Sequence, residues 1–465
     1  MKTTLRNIAY AIGTVASPLL FQAIGAYLIF FYTDVVRLEV GLISLAYSLS
    51  YGIWNAINDP LMGHLSDRTR TRWGRRIPYI FIGAPLAALL FVAVWSPPVG
   101  GKPLAEPHDL GIFLYLAVTI GLFDLMFTSA NISYAALFPE MFTDLRQRAR
   151  VMVPRQIAAV VGLLLALGAT PVLVKTFSAS LGAFGGWTAT GALLAIVAWA
   201  AFWISLLGSR EHREFSREAS LPLLKAFKVT FTNRTFLAAA VATLVINYIW
   251  SWLAAMAPFF TKYVIGAAEE QMSMLFLAMF GTSVLLYPAW QWITLRIGSK
   301  RTLTISVAMY ALLIFPVLFI STFTQAVITF ALMGAANAGI TLVREIVLSD
   351  VIDEDELKTG LRREGVYFGV TTFVERFALV LIGGSTALVL GLGRFQAGVF
   401  PQAPGTVLAL RWGMFGLSLV ALIIFLVAMR FYPLGKAKIE EMRAQLEKLH
   451  LEKATRLEAD QKPEG

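Results

Sequence analysis

Long apolar segments recur along nearly the whole chain, and each is long enough to cross a lipid bilayer as one helix. About twelve segments hold 18 or more predominantly apolar residues, and roughly 20 helical residues span a hydrocarbon layer of about 30 Å. Their approximate ranges are 8–33, 38–64, 78–96, 109–138, 152–175, 186–209, 235–264, 269–295, 302–322, 324–346, 366–393 and 405–431. The sequence therefore predicts an all-α membrane protein with twelve transmembrane helices.

The distribution of basic residues predicts how these helices are oriented. The chain is 57% apolar and only 15% charged, and its net charge is +10. With both termini placed inside, 32 of the 39 lysine and arginine residues fall on the inner side and six fall on the outer side. Basic residues accumulate on the cytoplasmic side of membrane proteins. The charge therefore indicates an N-in and C-in topology in the cytoplasmic membrane, and not nucleic-acid binding.

The longest basic loop divides the predicted helices into two sets of six. Residues 1–208 are the predicted N-terminal six-helix bundle, 209–234 a cytoplasmic loop, and 235–433 the C-terminal six-helix bundle. Parallel halves of this kind are a common way to build transporters. Residues 434–465 are polar with a helical pattern, which predicts a cytoplasmic helical tail along the inner surface.

Motifs for nucleotide-driven or catalytic chemistry are absent from the sequence. No G-x-x-x-x-G-K-[ST] segment occurs that would cradle phosphates, and the four histidines are scattered. No nucleophile elbow occurs, and the chain has no cysteine for disulfides or thiolate metal sites. We therefore expect neither an enzyme nor an ATP-driven pump, and we expect no cofactor and no resident metal.

Two separated segments carry a family resemblance. The segment from Trp54 to Arg76 includes Asn58-Asp59-Pro60 and a run of arginines, and the second segment extends from Ser349 to Gly365. Both resemble the glycoside-pentoside-hexuronide cation symporters of the major facilitator superfamily, and the likeness extends over roughly residues 5 to 435. It implies twelve helices around a cavity that opens alternately to either side. It also implies a small-molecule solute that moves together with Na+, Li+ or H+, and we expect a monomer surrounded by membrane lipids.

The predicted cation-coupling residues are Asn55, Asn58, Asp59 and Arg376. The first three lie at positions i, i+3 and i+4, so a helix places them on one face. The family's best-studied member has aspartates at the positions of both Asn55 and Asp59, whereas this chain keeps one carboxylate. Arg376 aligns with a lysine of the family's cavity, and arginine keeps its charge. The resemblance therefore implies weak or altered coupling, and uncoupled facilitated diffusion remains an alternative.

The residues that bind sugar in the family are only partly kept. The family's two sugar-binding aspartates correspond here to Pro18 and Asn131. Asp124 lies two turns before Asn131 on the same predicted face, so it is a candidate replacement, although a local structural pair is equally compatible with its position. Arg155 matches a family arginine near the sugar. The full predicted substrate set is Asp124, Asn131, Arg155, Asn247, Trp250, Asn337 and Thr341.

Charged residues near the inner ends of the helices are predicted gates. Asp67 with Arg72, Arg75 and Arg76 should form a latch on the inner side when the cavity faces outward. Further predicted gating residues are Glu140, Asp144, Asp350, Asp353, Arg344 and Glu375. Arg344 shares a face with Asn337 and Thr341, whereas Glu345 is expected to point elsewhere.

The sequence leaves three functions open. The first is a secondary transporter for a sugar, glycoside or related small solute. The second is a transporter of lysophospholipid or another amphipathic lipid, because both sugar carboxylates are lost and the chain holds 33 phenylalanines. The third is a membrane sensor that does not transport. Full retention of the family's loop signature from Asp67 to Arg76 favours a working transporter, since the resemblance implies that this loop is needed for the conformational cycle.

Overall fold

The computed structural model describes residues 3–106, 108–211, 232–267, 271–360, 363–395 and 400–459. Within these ranges the regular structure is helical, apart from an isolated bridge between Thr71 and Gly74. The predicted cytoplasmic loop 209–234 lies almost entirely outside the described residues.

The first half of the chain contains eight helices. They are α1 Thr3–Ile12, α2 Ala16–Phe30, α3 Val40–Ser48, α4 Asn55–Arg68, α5 Ile77–Val94, α6 Leu110–Met141, α7 Leu145–Leu164 and α8 Thr170–Gly208. Short 3-10 and π-helical turns join α1 to α2, α3 to α4, and α7 to α8 without interrupting the rods. A break inside α8 occurs at Gly182, whose φ of 71° is accessible to glycine at no steric cost.

The second half contains seven helices. They are α9 Arg234–Phe259, α10 Met272–Ile297, α11 Ser299–Ile314, α12 Phe323–Thr359, α13 Glu364–Leu392, α14 Pro404–Arg430 and α15 Lys436–Ala459. The last of these, α15, is the polar tail. Its apolar residues Ile439, Met442 and Leu446 are buried, and the helix packs against α12. The tail is thus docked on the C-terminal helices.

Nine stretches of the described residues are long and apolar enough to cross a membrane. One of them, Leu145–Gly208, contains the predicted spans 152–175 and 186–209, and the backbone break at Gly182 lies between them. The predicted spans 38–64 and 366–393 are also helical, as α3 with α4 and as α13. The architecture is therefore consistent with twelve spans. The orientation of the termini and the division into two bundles stay predictions.

The predicted tenth span ends too early. We expected it to end near residue 346, whereas α12 continues to Thr359 and stops at Gly360, whose φ is 71°. The polar residues after 346 were read as the end of the apolar span, but the helix continues beyond the apolar layer. This extension carries Asp350 and Asp353 as part of a rigid helix, so their positions are set by the helix rather than by a loop.

The two predicted bundles contact each other most closely where α4 packs on α13. At this crossing a Cβ atom on Gly63 would collide with the carbonyl oxygen of Gly365, and the converse also holds. Glycine at both positions therefore allows the backbones to touch. A second contact joins α7 to α10.

We predict that Gly63→Ala weakens this crossing, because the added methyl must push α13 away. Since the chain has no native cysteine, the reporter Ala159→Cys in the cavity can be labelled by a membrane-impermeant thiol reagent added from outside. The reagent reaches the thiol of Ala159→Cys only while the cavity faces outward, and the α4–α13 crossing stabilises that state. If Gly63→Ala destabilises the outward-facing state by about 1 kcal/mol, labelling should fall by roughly fivefold. Gly121→Ala is the control, because its Cβ would meet nothing within 4 Å. Equal labelling in both variants would contradict the prediction.

Candidate transport site

A cavity of about 560 Å³ lies between helices from the two halves of the chain. Helices α2, α6 and α7 line one side, and α9, α10, α12 and α13 line the other. Its polar lining includes Thr14, Ser17, Gln22, Asn131, Arg155, Gln156, Asn247, Asn337, Thr341, Arg344, Glu345, Glu375 and Arg376. A few polar groups among apolar and aromatic walls are typical of a small-molecule site.

Six of the seven predicted substrate residues line this cavity, and Pro18 lines it as well. Trp250 presents a half-buried ring that packs against Phe280, with ring centroids 5.4 Å apart. On α12, Asn337 donates to the Ser283 hydroxyl at 3.2 Å, and Thr341 lies 3.3 Å from the hydroxyl of Tyr287. These contacts hold the polar side chains in place around the open space.

Arg155 is the most firmly held charge in the cavity wall. Its guanidinium pairs with Glu345 on α12, and it lies over the rings of Tyr134 and Phe138 at 5.6 and 4.8 Å. Its Nε donates to Thr14 at 3.3 Å. The expectation that Glu345 points elsewhere is wrong, because α7 approaches α12 closely enough for Arg155 to reach it.

Arg344 and Glu375 form a second charged pair, with 3.4 Å between Nη1 and Oε1. Glu375 also accepts a hydrogen bond from Asn247 at 3.1 Å. The three residues come from α12, α13 and α9, so the pair connects helices that line one side of the cavity. The Arg344 side chain is 35% exposed, which leaves its guanidinium accessible to a solute.

Asp124 does not line the cavity, contrary to the sequence expectation. It is 1% exposed, and its carboxylate accepts a hydrogen bond of 2.9 Å from Nδ2 of Asn58 on α4. Asn131 is on the same helix but borders the cavity. The two residues differ in surroundings because α4 packs over α6 at the depth of Asp124. Asp124 and Asn131 lie on the same face of α6 but have different neighbours.

Asp59 and its neighbours form a buried polar group on α4. Asn55 and Asn58 are 0% exposed and Asp59 is 1% exposed. Thr128 on α6 donates to Oδ1 of Asp59 at 3.3 Å. Arg376 of α13 approaches Oδ2 of Asp59 at 3.5 Å, and Arg376 also borders the cavity. The predicted coupling residues thus meet at one place, next to the solute cavity.

A first ion-pair cluster lies at the predicted inner end of the helices. Arg76 contacts Asp67 at 3.0 Å, Glu140 at 2.6 Å and Glu364 at 2.6 Å. Arg75 contacts the same two glutamates at 3.0 and 2.9 Å. Although burial alone disfavours its charge, the carboxylates of Glu364, Glu140 and Asp67 raise the pKa of Arg76 above its usual value. The cluster joins the two halves, since Glu364 begins α13.

Asp67 also binds the first turn of α13. Its carboxylate accepts hydrogen bonds from the backbone N–H groups of Gly365 and Val366 at 3.2 and 3.0 Å. A carboxylate at a helix N-terminus is favoured because unpaired N–H groups carry partial positive charge there. The loop that carries Arg75 and Arg76 is therefore connected to the start of α13 through Asp67.

A second cluster joins the halves through Arg148 of α7. This arginine contacts Asp350 at 3.1 Å and Asp353 at 2.8 Å on the extended end of α12. Arg443 of the tail helix adds contacts of 3.5 Å to Asp144 and 3.8 Å to Asp350. Sequence analysis missed Arg148 and Arg443, although the excess of acidic residues on α12 indicated that basic partners were needed.

The structure differs from the predicted latch at two residues, Arg72 and Glu211. Arg72 is exposed and lies over the Trp73 ring at 5.7 Å, so it stands outside the buried cluster. Glu211 instead accepts backbone N–H bonds from Arg75, Arg76 and Ile77 at 2.6 to 2.9 Å. It caps the start of α5 and fixes the direction of the arginines. No local pattern marked Glu211, because it lies about 135 residues away along the chain.

A polar cavity shared by two sets of membrane helices, with ion pairs joining the sets at one end, defines a solute transporter rather than an enzyme. The profile of the family described as MFS/sugar transport protein matches residues 9–436. The chain belongs to this family of major facilitator transporters.

Two known proteins of similar sequence are described as symporters. The chain is 25% identical to the inner membrane symporter YicJ of Escherichia coli (strain K12), over 95% of this chain and 94% of the relative. It is 22% identical to the sodium-dependent lysophosphatidylcholine symporter 1-A of Danio rerio, over 96% of this chain and 89% of the relative.

The fold is also found in a solved structure. The proton:xylose symporter XylE, bound to 6-bromo-6-deoxy-D-glucose, superposes with a TM-score of 0.68. The match covers 95% of this chain and 98% of XylE at 14% identity. This likeness shows the major facilitator fold.

We predict that Asp67→Asn slows transport but preserves solute binding. The change removes the charge that holds Arg76 and the first turn of α13, while the cavity is untouched. The solute dissociation constant should stay within about tenfold, which corresponds to roughly 1.4 kcal/mol, while the uptake rate falls further. Binding and initial uptake rates measure the two quantities. Arg72→Gln is the matched control in the same loop, and normal uptake by Asp67→Asn would show that the latch is wrong.

Proposed function

We propose that this protein is a secondary active transporter of the cytoplasmic membrane that moves a sugar, glycoside or related small solute together with a monovalent cation. The carrying observation is the cavity between the two sets of helices, lined by amides, hydroxyls, charged pairs and the Trp250 ring. Hydroxyl-rich solutes offer many donors and acceptors to such a lining, and sugar rings present apolar faces to aromatic side chains.

Alternating access follows from where the strong contacts lie. The ion-pair clusters around Arg76 and Arg148 join the two halves at one end, beyond the cavity. Each cluster is discrete and buried, so it is either formed or broken as the halves rock. Opening the inner side must separate these charges, and the free energy of cation and solute binding has to offset that cost. The binding site and the gate are therefore coupled through rigid helices.

Cation binding would affect the solute site through Arg376. This arginine approaches Asp59 at 3.5 Å and also borders the cavity. A cation bound near Asp59 would weaken this ion pair and leave the guanidinium available to solute oxygens. Such coupling is reciprocal, since a solute that holds Arg376 also leaves Asp59 available to the cation.

A lysophospholipid is the second candidate solute. Part of the cavity wall is apolar and includes Phe21, Phe127, Leu163, Ile246 and Phe280, which suits an acyl chain. The likeness to a lysophosphatidylcholine symporter points in the same direction. A headgroup phosphate would then meet the arginines.

Uptake by proteoliposomes across a panel of labelled sugars, glycosides and lysophospholipids tests the proposal. We expect saturable, counterflow-competent uptake of a member of the sugar group. Trp250→Ala should raise the half-saturating concentration of that solute by roughly fivefold, since a lost aromatic contact costs about 1 kcal/mol.

Trp292→Ala is the matched control, because Trp292 is 55% exposed and stacks on Arg296. Uptake of lysophospholipids alone would select the second candidate. Absence of counterflow for every solute in the panel would favour a membrane sensor and overturn the proposal.

The response to Na+ tests the altered coupling site. We expect a Na+ gradient to stimulate uptake at most modestly, because Arg376 already contacts Asp59, and we expect Asn55→Asp to increase that stimulation. The added carboxylate lies one turn before Asp59 on the same face and gives a cation more negative charge. Initial uptake rates with inward Na+ and with K+ replacement measure the effect. Strong Na+ dependence that Asn55→Asp leaves unchanged would contradict it.

A further inference from the structure

We propose that Asp124 is the second carboxylate of a Na+-binding site, which α6 supplies in place of the one missing at Asn55. The inference rests on the proposed cation-coupled function and deepens it by naming the ligands and the ion. Sequence reasoning counted a single carboxylate because it considered α4 alone. The tertiary structure adds another carboxylate from the neighbouring helix.

No basic side chain among the described residues forms an ion pair with Asp124, because the arginines around the cavity pair with other carboxylates. Arg155 pairs with Glu345, Arg344 with Glu375, and Arg376 with Asp59. Asp124 is 1% exposed, and its side-chain hydrogen-bond partners are the neutral amides of Asn58 and Asn55, so no ion pair compensates its charge. The local group formed by Asp59, Asp124 and Arg376 therefore carries a net charge of about −1. A buried charge of this kind is costly unless a counterion joins it.

Two hydrogen bonds place both carboxylates at one site between α4 and α6. Asn58 of α4 reaches across to Asp124 of α6 at 2.9 Å, and Thr128 of α6 reaches back to Asp59 of α4 at 3.3 Å. Asn58 and Asp59 are consecutive, and Thr128 lies one turn after Asp124. The two helices are therefore linked twice over one turn, with a carboxylate from each side.

Unpaired oxygen atoms point to a ligand that needs them. The amide oxygens Oδ1 of Asn55 and Asn58 are buried and accept no hydrogen bond from the described residues. Asn55 and Asn58 are 0% exposed. Buried polar atoms are nearly always satisfied in proteins, so two such oxygens on one helix face point to a bound ligand. Hard cations bind carboxylate and amide oxygens of this kind.

The backbone of α4 is adapted to a cation as well. A π-helical turn, Leu49–Trp54, ends immediately before Asn55, and such turns are frequent at functional sites. Pro60 lies inside the helix and has no N–H group, so the carbonyl of residue 56 loses its usual helical donor. Irregular helix segments near the midplane supply Na+ ligands in other secondary transporters.

The oxygen set favours Na+ over a proton. A proton would neutralise one carboxylate and leave the amide oxygens of Asn55 and Asn58 unpaired. A Na+ ion can use several of these oxygens together and cancel the same single charge. The ion would lie beside Asp59, where its field opposes the Arg376 contact, so it acts on the residue that borders the solute cavity.

The test measures Na+ binding without solute. Purified protein is titrated with NaCl at constant ionic strength, with KCl as the replacement, and the thermal unfolding midpoint is recorded. A ligand that binds only the folded protein raises this midpoint. We expect a saturable rise for the unmodified protein. Asp124→Asn should lose the rise and be at least as stable in KCl, because its uncompensated charge is gone.

A second substitution should restore the Na+-dependent rise of the unfolding midpoint. In Asp124→Asn the remaining Asp59 is neutralised by Arg376, so adding Arg376→Gln returns the local charge to about −1. The double variant should therefore regain the Na+-dependent rise. Such a rescue distinguishes a charge requirement from structural damage, because damage from two changes would accumulate. Asp109→Asn, at the start of the same helix, is the matched control and should respond like the unmodified protein.

The outcomes separate this inference from the proposed function. A Na+-dependent rise that persists in Asp124→Asn overturns the assignment of Asp124. A midpoint of the unmodified protein that responds to pH but not to Na+ overturns the assignment of Na+. Solute counterflow by the unmodified protein is measured independently and reports on transport itself, so either result can fail alone.

Discussion

Every charge that this chain places among its membrane helices has to be balanced, because the surrounding lipid and apolar side chains solvate ions poorly. The structure answers this constraint with pairs between different helices. Arg155 with Glu345 connects α7 to α12, and Arg376 with Asp59 connects α13 to α4. At the predicted inner end, Arg76 and Arg148 do the same with three and two carboxylates. Charge balance therefore decides which helices lie together, in addition to apolar packing.

The same pairs give the protein a way to move. A buried ion pair is expensive to break when one partner is left alone, but much cheaper when a solute or ion replaces that partner. Pairs that border the cavity can exchange with solute oxygens, whereas the inner clusters must exchange with water as the halves separate. The cavity ion pairs and the inner clusters are chemically alike, but they differ in role because the first border the solute and the second lie at the inner end. Docking of the tail helix, through Arg443, adds a further contact to the cluster around Arg148.

Departures from the family pattern are linked in space. The family's best-studied member has a second carboxylate at the position of Asn55 and a lysine at the position of Arg376. Here the fixed charge of arginine neutralises Asp59, and a carboxylate on another helix, Asp124, lies beside Asn58. An exchange of this kind preserves the charge of a site while its residues change helix. It escapes detection when each helix is considered separately.

The sequence by itself determined the class of this protein. Apolar length, basic loops and the segment around Asn58 to Arg76 predicted helices, family and the residues near the cavity, because hydropathy and motifs are local properties. It also identified Asp67, Arg75 and Arg76 as a unit. Only the tertiary structure decided which charges meet. Glu345 reaches Arg155, Glu211 caps α5, Arg72 stands outside the latch, and Asp124 turns to α4 instead of the cavity. These outcomes depend on how helices far apart in sequence cross and cover one another, and helical periodicity carries no information about that.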